Sequence, residues 1–257
     1  MSDPILELHK VNKSFGAVHV LHDVDFAVRA GEVTALVGDN GAGKSTLVKC
    51  IAGIHPTDSG RVTFGGEEVH IRGPKDAAGL GIEVVYQDLA LADNLDIVQN
   101  MFLGRERGGS WLLDEASMEQ AARDTLASLS VRTVKSVRTP VSALSGGQRQ
   151  TVAIAKSVLW DSKVVLLDEP TAALGVAQTR QVLDLVRRLA EQGLGVVLIS
   201  HNMADVFEVA DRIAVLYLGR MVAEVHTKHV THGQVVELIT AGRSGDLGLA
   251  RPEAAVI

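Results

Sequence analysis

Cysteine, aromatic residues and long apolar runs are scarce in this chain of 257 residues. The single cysteine, Cys50, cannot form an intrachain disulfide, which excludes the disulfide-stapled class and fits a reducing compartment. No apolar run reaches the ~18–20 residues that a membrane-spanning helix needs. Acidic and polar residues interrupt the opening segment, where a signal peptide would be apolar. We therefore expect a chain with neither a membrane span nor a secretion signal.

An excess of positive charge is also missing, since 31 acidic residues outnumber 25 basic ones. Without a global basic field, we expect no nucleic-acid partner. Hydrophobic residues make up 46% of the chain, which is enough for a sizeable core, and the length allows one large domain or two small ones. No internal repeat is visible.

A glycine-rich run with the sequence GDNGAGKST occupies residues 38–46. It fits the pattern G-x-x-x-x-G-K-[ST], in which glycines let the backbone approach phosphate and N–H groups converge on its oxygens. A predicted strand, 32–37, precedes it and a predicted helix, 46–53, follows it. This order predicts a nucleoside triphosphate site. The residues predicted to bind the nucleotide here are Gly38, Asp39, Asn40, Gly41, Ala42, Gly43, Lys44, Ser45 and Thr46.

A metal ion is expected beside that loop. Lys44 should reach the β- and γ-phosphates, and the Ser45 hydroxyl should ligate Mg²⁺. A second buried strand, 164–167, ends in Asp168 and Glu169. Asp168 should hold Mg²⁺, directly or through water, and Glu169 should face the attacking water as general base or positioner. The alternative is that both carboxylates cap the next helix.

Two further strand ends carry candidate residues. His201 follows the apolar run 195–200, and its imidazole can hydrogen-bond a γ-phosphate and report its loss. A surface or core role is the alternative, and the other eight histidines show no metal-ligand spacing. Gln87 ends another apolar run, and its amide can contact Mg²⁺ or the water.

As a set, these motifs resemble the ATP-binding subunit of an ABC transporter over residues 5–242. The resemblance also implies that Phe15 stacks on adenine, with ordinary core packing as the alternative. The family motifs match as follows: Walker A, 38–46; Q-loop glutamine, Gln87; LSGGQ signature, 144–148; Walker B, 164–169; switch histidine, His201.

The LSGGQ segment precedes a predicted helix, 148–159, and small residues at a helix start expose N–H groups to an anion. In the family, that anion is the γ-phosphate held by the opposite subunit. The resemblance therefore implies a head-to-tail dimer, with itself or with a related ATPase subunit, which ATP joins and hydrolysis releases. The residues implied are Ser145, Gly146, Gly147 and Gln148.

One segment departs from the family pattern. The usual Ser-Ala-Leu-Asp is here Ala-Ala-Leu-Gly at 172–175, so Gly175 lacks the Asp that helps couple the two sites. This segment and the stretch 86–106 are similar to ATPases of ribose, xylose and fructose importers. The resemblance implies a peripheral subunit on the cytoplasmic face of the cell membrane. It would power sugar uptake through a separate permease, served by a periplasmic or extracellular solute-binding protein.

The expected fold class is α/β: a P-loop NTPase core with a mostly parallel sheet, an antiparallel β portion and an inserted α-helical subdomain. The antiparallel portion is expected at 5–26 and 61–71, and the helical subdomain at about 93–159. Residues 1–242 would form one ATP-binding domain, with 243–257 as a mobile tail.

Other functions stay open at this point. They are a soluble ABC-type ATPase acting on nucleic acid or the ribosome, a structural subunit that barely hydrolyses ATP, an exporter, and an importer of a non-sugar solute. Long coiled-coil insertions, tandem domains and basic arms, which are usual in the first class, are not visible in the sequence. Glu169 and His201 argue against the second class.

Overall fold

A computed structural model of the chain describes residues 3–109, 112–131 and 133–247. That part of the chain contains ten strands and eight α-helices. The strands are β1 (Pro4–Phe15), β2 (Val18–Arg29), β3 (Val33–Val37), β4 (Ser59–Phe64), β5 (Glu67–Val69), β6 (Ile82–Val85), β7 (Val164–Asp168), β8 (Gly195–Ile199), β9 (Arg212–Tyr217) and β10 (Arg220–His226). The helices are α1 (Lys44–Ile51), α2 (Pro74–Gly79), α3 (Ile97–Phe102), α4 (Glu115–Ser128), α5 (Gly146–Val158), α6 (Val176–Glu191), α7 (Met203–Val209) and α8 (His232–Ala241).

The larger sheet has six strands in the order β10-β9-β3-β8-β7-β6. Its inner strands run parallel, and only the β10–β9 pair is antiparallel. β3 and β8 are buried throughout, as expected for parallel strands that are covered on both faces. The predicted mostly parallel sheet is thereby confirmed, and the parallel strands end at a common edge.

The smaller sheet has four antiparallel strands in the order β2-β1-β4-β5. β1 pairs with β2 through a short hairpin and with β4 across a longer connection. From Val24 to Val28, every second side chain of β2 is buried, as expected for a sheet that packs on the core with one face. The predicted antiparallel portion is confirmed.

The stretch 93–159 contains α3, α4 and α5, which pack on one another through apolar side chains. α4 begins after Asp114, whose carboxylate accepts from the Ser117 N–H at 3.1 Å. Arg138 ties this region together by ion pairs with Asp96, Glu115 and Glu119. These helices form the layer that presents the LSGGQ segment.

Apolar side chains gather in two cores, one on each face of the six-stranded sheet. One core joins that sheet to α5, α6 and the helices of 93–159, and the other joins it to the four-stranded sheet and α1. Cys50, on α1, is 3% exposed in the second core. The six-stranded sheet is therefore the shared middle layer.

The predicted tail, 243–257, is described only to residue 247. Ser244 is fully buried, and Gly245–Leu247 form a 3₁₀ turn. The remainder of the predicted tail lies outside the described residues. Across the part of the chain that the structure describes, no helix combines the length and hydrophobicity that a membrane crossing demands.

Candidate active site

The predicted residues of the phosphate loop meet Gln87, Asp168, Glu169 and His201 at the carboxyl ends of β3, β6, β7 and β8. A cavity of about 320 Å³ there is lined by residues of the phosphate loop (38–46), together with Gln87, Asp168 and Glu169. An adjoining cavity of about 500 Å³ adds His201 and shares Glu169. Ligands of open α/β sheets bind in such a crevice. The structure thus brings together residues that are up to 163 positions apart in the chain, from Gly38 to His201.

The phosphate loop needs its glycines for conformation and for space. Gly43 has φ 104° at the N-cap of α1, in the left-handed region. A Cβ at Gly38 would stand 2.2 Å from the Leu216 carbonyl oxygen. α1 begins within this loop, at Lys44, and its first turn, whose N–H groups have no partner inside the helix, lines the smaller cavity. This is a ready anion-binding cradle.

The hairpin between β9 and β10 braces that cradle from behind. The Gly219 N–H donates to the Ala42 carbonyl at 2.9 Å, and the Gly219 carbonyl accepts from the His22 N–H at 2.8 Å. The loop is therefore held in shape by residues more than 170 positions downstream. Nothing in the sequence of the hairpin indicates this contact.

Lys44 is folded back onto its own loop. Its Nζ donates to the Gly38 carbonyl at 2.7 Å and to the Asp39 carbonyl at 3.0 Å. Burial lowers the pKa of this ammonium group, and the charges of Glu169 and Asp39 act against that shift. A phosphate in the cradle would supply a negatively charged partner for this half-buried ammonium group.

Asp168 ends β7, and Glu169 follows it with a φ of 49°, a strained value for a non-glycine residue. Burial first, and then repulsion by Glu169, raise the pKa of Asp168. Two neighbouring carboxylates, a Ser45 hydroxyl and a Gln87 amide around one cavity are the oxygen donors that Mg²⁺ prefers. The raised pKa fits such an ion, since a cation would relieve the repulsion.

His201 stands beside Glu169. Its Nδ1 lies 3.2 Å from a Glu169 carboxylate oxygen, and its side chain is 72% exposed. The core role considered for this histidine is therefore excluded. The contact leaves the imidazole facing the larger cavity, where it can reach a bound group.

The signature turn (144–148) begins α5, with Ser145 as N-cap. The Ser145 Oγ accepts from the Gln148 N–H at 3.4 Å, and the Gln148 side chain accepts from the Ser145 N–H at 2.9 Å. A helix's first turn leaves the N–H groups of Gly146 and Gly147 without internal partners. Among the described residues, those lining the two cavities do not include this turn. The turn therefore lies outside the subunit's own cavities, with Ser145 and Gly146 exposed and Gly147 buried.

Phe15 closes β1, and its ring is 43% exposed, so it is not a core residue. The ring meets His55 edge-on with centroids 5.0 Å apart, and the Lys13 ammonium lies 5.4 Å from its centroid. Val20, a few residues beyond the hairpin, lines the smaller cavity. Phe15 itself lines neither of the two cavities.

Sequence reasoning missed several residues that line these cavities. Ile199 ends β8 and Ser200 follows it, directly before His201, and their place at a strand end was a usable signal. Val236 and Ile239 of α8 also line the larger cavity, and no pattern links that helix to a phosphate loop. Tertiary packing alone brings α8 there.

Comparison with known proteins decides the family. The family described as "ABC transporter" matches residues 21–172, which is more than half of the chain. The chain belongs to the ABC transporter family. It is accordingly an ATP-binding ATPase subunit, and the predicted fold class and the resemblance to this family are confirmed.

Relatives in this family match along almost the whole chain. A xylose/arabinose import ATP-binding protein of Sulfolobus acidocaldarius is 45% identical over 97% of this chain and 98% of its own length. A fructose import ATP-binding protein of Rhizobium meliloti is 45% identical, covering 94% and 95%. A ribose import ATP-binding protein of Escherichia coli O157:H7 is 37% identical over 96% of this chain but 48% of its own length.

Solved structures of the family share the fold. A nucleotide-free ATP-binding cassette from an ABC transporter superposes with a TM-score of 0.79 at 26% identity, covering 87% of this chain and 92% of its own. An ATP-binding cassette in its ADP conformation has a TM-score of 0.80 at 25% identity, covering 93% and 96%. The nucleotide-free cassette and the cassette in its ADP conformation therefore both share the fold of this chain.

Proposed function

We propose that this ABC subunit hydrolyses ATP to power the uptake of a sugar through a separate membrane permease. The observation that carries the chemistry is one cavity lined by Lys44, Ser45, Asp168 and Glu169. The similarity to import ATP-binding proteins for xylose, arabinose and fructose supports the direction and the class of solute.

In the proposed reaction, the phosphate loop holds the triphosphate by its N–H groups and by Lys44, which leaves its contacts with the loop carbonyls. Ser45, Gln87 and Asp168 would hold Mg²⁺, which would offset charge on the β- and γ-phosphates. Phe15 would stack on the adenine.

Glu169 is proposed to orient a water in line with the γ-phosphate and to accept its proton. His201, 3.2 Å from Glu169, is proposed to contact the γ-phosphate and keep the Glu169 carboxylate oriented. The strained φ of Glu169 fits a carboxylate that the fold holds in one orientation.

The signature turn would supply donors for a nucleotide on a partner ATPase subunit, identical or related. Its Gly146 and Gly147 N–H groups lie at a helix start, outside the subunit's own cavities. Two such subunits, head to tail, would enclose two ATP molecules. Binding would then close the dimer, and hydrolysis would open it.

The partners proposed outside the ATPase pair are a membrane permease and, through it, a solute-binding protein. The subunit would lie peripherally on the cytoplasmic face of the membrane. An affinity purification tests this proposal: a tagged Glu169→Gln subunit is expressed in its native cell, and membranes are solubilised with ATP present.

Co-purification of a multi-span permease, with a solute-binding protein, is the expected result, and ligands of that binding protein then identify the sugar. A binding protein that prefers a non-sugar solute would overturn the sugar class. Recovery of ribosomal or DNA-associated proteins without a permease would overturn the import proposal and leave the ATPase chemistry standing.

A further inference from the structure

Gln178, in the first turn of α6, touches two loops that are far apart in sequence. Its Oε1 accepts from the Gly175 N–H at 3.2 Å, which attaches it to the 172–175 loop. Its Cβ and Cγ lie so close to Gly147 that a Cβ added to that glycine would stand 3.0 Å from each. The same side chain therefore contacts the loop after β7 and the signature turn.

A second contact joins the same two segments. A Cβ on Gly146 would stand 3.4 Å from Cδ2 of Leu174. Neither Gly146 nor Gly147 has a φ in the left-handed region, so conformation alone does not require glycine here. The missing side chains instead allow the signature turn to approach the 172–175 loop and Gln178 closely.

Because Gly175 has no side chain to cap α6, Gln178 has a larger part in holding the start of this helix. Gly175 is the N-cap of α6 and supplies no side-chain cap, whereas an aspartate at a cap accepts from the first-turn N–H groups. Gln178 reaches back to the Gly175 N–H instead, which is half of a capping box. The end of the 172–175 loop is thus fixed to α6 through the same amide whose stem supports Gly147.

We propose that Gln178 is a positioning residue, which sets the signature turn against the 172–175 loop within one subunit. It thereby aims the Gly146 and Gly147 N–H groups at the nucleotide of the partner subunit. This inference rests on the proposed function, because the anion that these groups would bind is the partner's γ-phosphate. Gln178 does not line either cavity of its own subunit's candidate site.

Two substitutions separate the two contacts of Gln178. Gln178→Met keeps the stem against Gly147 and loses the amide, while Gln178→Ala loses both the amide and Cγ. Gln181→Ala is the matched control, because Gln181 is exposed on the same helix and is not among the atoms nearest to the Cβ positions of Gly146 and Gly147. Each change is made in the active chain and in the Glu169→Gln chain, whose ATP-bound dimer should persist.

The measurements are the affinity of the monomer for ATP, the ATP-dependent dimer fraction by analytical ultracentrifugation, and kcat and KM for phosphate release. Gln178→Ala should raise the dissociation constant of the ATP-bound dimer by about tenfold, which is the effect expected from the loss of one or two modest contacts. kcat should fall, with Gln178→Met intermediate. The ATP affinity of the monomer should match that of Gln181→Ala.

Dimerisation and kcat equal to those of Gln181→Ala would overturn the role of Gln178 and leave the proposed function intact. The role of Gln178 would also be overturned if Gln178→Ala weakened ATP binding by the monomer as much as it weakened dimerisation. The effect would then be local to the subunit's own site. If Glu169→Gln itself fails to dimerise with ATP, the proposed sandwich is wrong, whatever Gln178 does.

Discussion

At the scale of single residues, the candidate site is a set of charges held in place before any ligand arrives. Lys44 is bonded to carbonyls of its own loop, and Asp168 lies against the charge of Glu169. Lys44 is hydrogen-bonded to neutral carbonyls and Asp168 is repelled by Glu169, so phosphates and a metal ion would give each group a partner of opposite charge. Binding energy is therefore available at these residues.

Replacing Lys44 by Ala should abolish hydrolysis and weaken ATP binding, because the phosphates lose their cationic partner. A fall in kcat on the order of 10²–10³ is expected for the removal of one preorganised electrostatic donor. Phosphate release and calorimetric ATP titration measure the two effects. Lys49→Ala is the control, since Lys49 is exposed on the same helix. Normal turnover of the Lys44 variant would show that the site is misassigned.

Replacing Asp168 by Asn should stabilise the nucleotide-free protein while abolishing metal-dependent hydrolysis. The folded state raises the pKa of Asp168, chiefly by burial and then by repulsion from Glu169. A raised pKa means that the folded state binds the proton more tightly than the unfolded chain does. Stability is therefore lost as the pH rises from the ordinary Asp pKa through the raised value, and stays lost above it.

The measurement is the thermal unfolding midpoint of Asp168→Asn and of the parent between pH 3 and pH 8. The variant should unfold at a higher temperature at neutral pH, and the difference should disappear toward pH 3. Asp161→Asn is the control, because Asp161 has a side chain that is 94% exposed. A lower midpoint for Asp168→Asn at pH 7 would contradict the burial argument.

At the scale of elements, α1 links the phosphate loop to the second core. Its buried residues are Leu47, Val48, Cys50 and Ile51, while Lys44 and Ser45 face the cavity. One short helix thus has a ligand-binding first turn and an apolar body, so its position in the core fixes the direction of its N–H groups. Gly219 fixes the loop from the other side.

Cys50 reports whether that helix stays packed. Burial raises the pKa of this thiol to about 11, and the residue is only 3% exposed. A disulfide reagent at pH 8 should leave the native protein unmodified and modify one thiol per chain in guanidinium. Absorbance of the released thiolate measures both. Rapid modification of the native protein would mean that α1 detaches from the core in solution.

At the scale of the whole molecule, the donors of the signature turn lie outside the cavities that hold the other candidate residues. A single subunit therefore carries one nucleotide cradle and one separate set of N–H donors. Pairing two copies head to tail would satisfy both, which is how a nucleotide could join subunits without an extensive apolar interface.

Glu169→Gln should retain ATP binding, stop turnover and elute at twice the monomer mass with ATP. The neutral amide keeps the shape of the side chain but cannot accept the proton of the attacking water. Size-exclusion chromatography with light scattering measures the mass, and ADP serves as the control nucleotide. A species that stays monomeric with ATP would contradict dimerisation by the subunit alone.

Much of this architecture could be predicted from residues that are adjacent in sequence. The runs ending at Val37, Asp168 and Ile199 are continuous and apolar because parallel strands are buried on both faces. The glycines of the phosphate loop and the caps of α4 and α5 are local backbone requirements, so they too are visible in the chain.

Other features required the folded chain. Gly219 supports Ala42, and α8 lines the larger cavity, through contacts between segments with no common pattern. The packing of Gln178 against Gly147 is a further contact between distant segments of this kind. The exposure that separates Phe15 and His201 from core residues also depends on packing.

The sequence by itself determined the order of elements, the chemistry of the phosphate loop and the carboxylates that follow β7. Those features arise from backbone geometry and residue type over a few neighbouring positions. Only the tertiary structure decided which distant segments brace the loop, how the strand ends share one crevice and where the signature turn faces. Those depend on the order of strands in the sheet, which is a long-range property that local residue patterns do not encode.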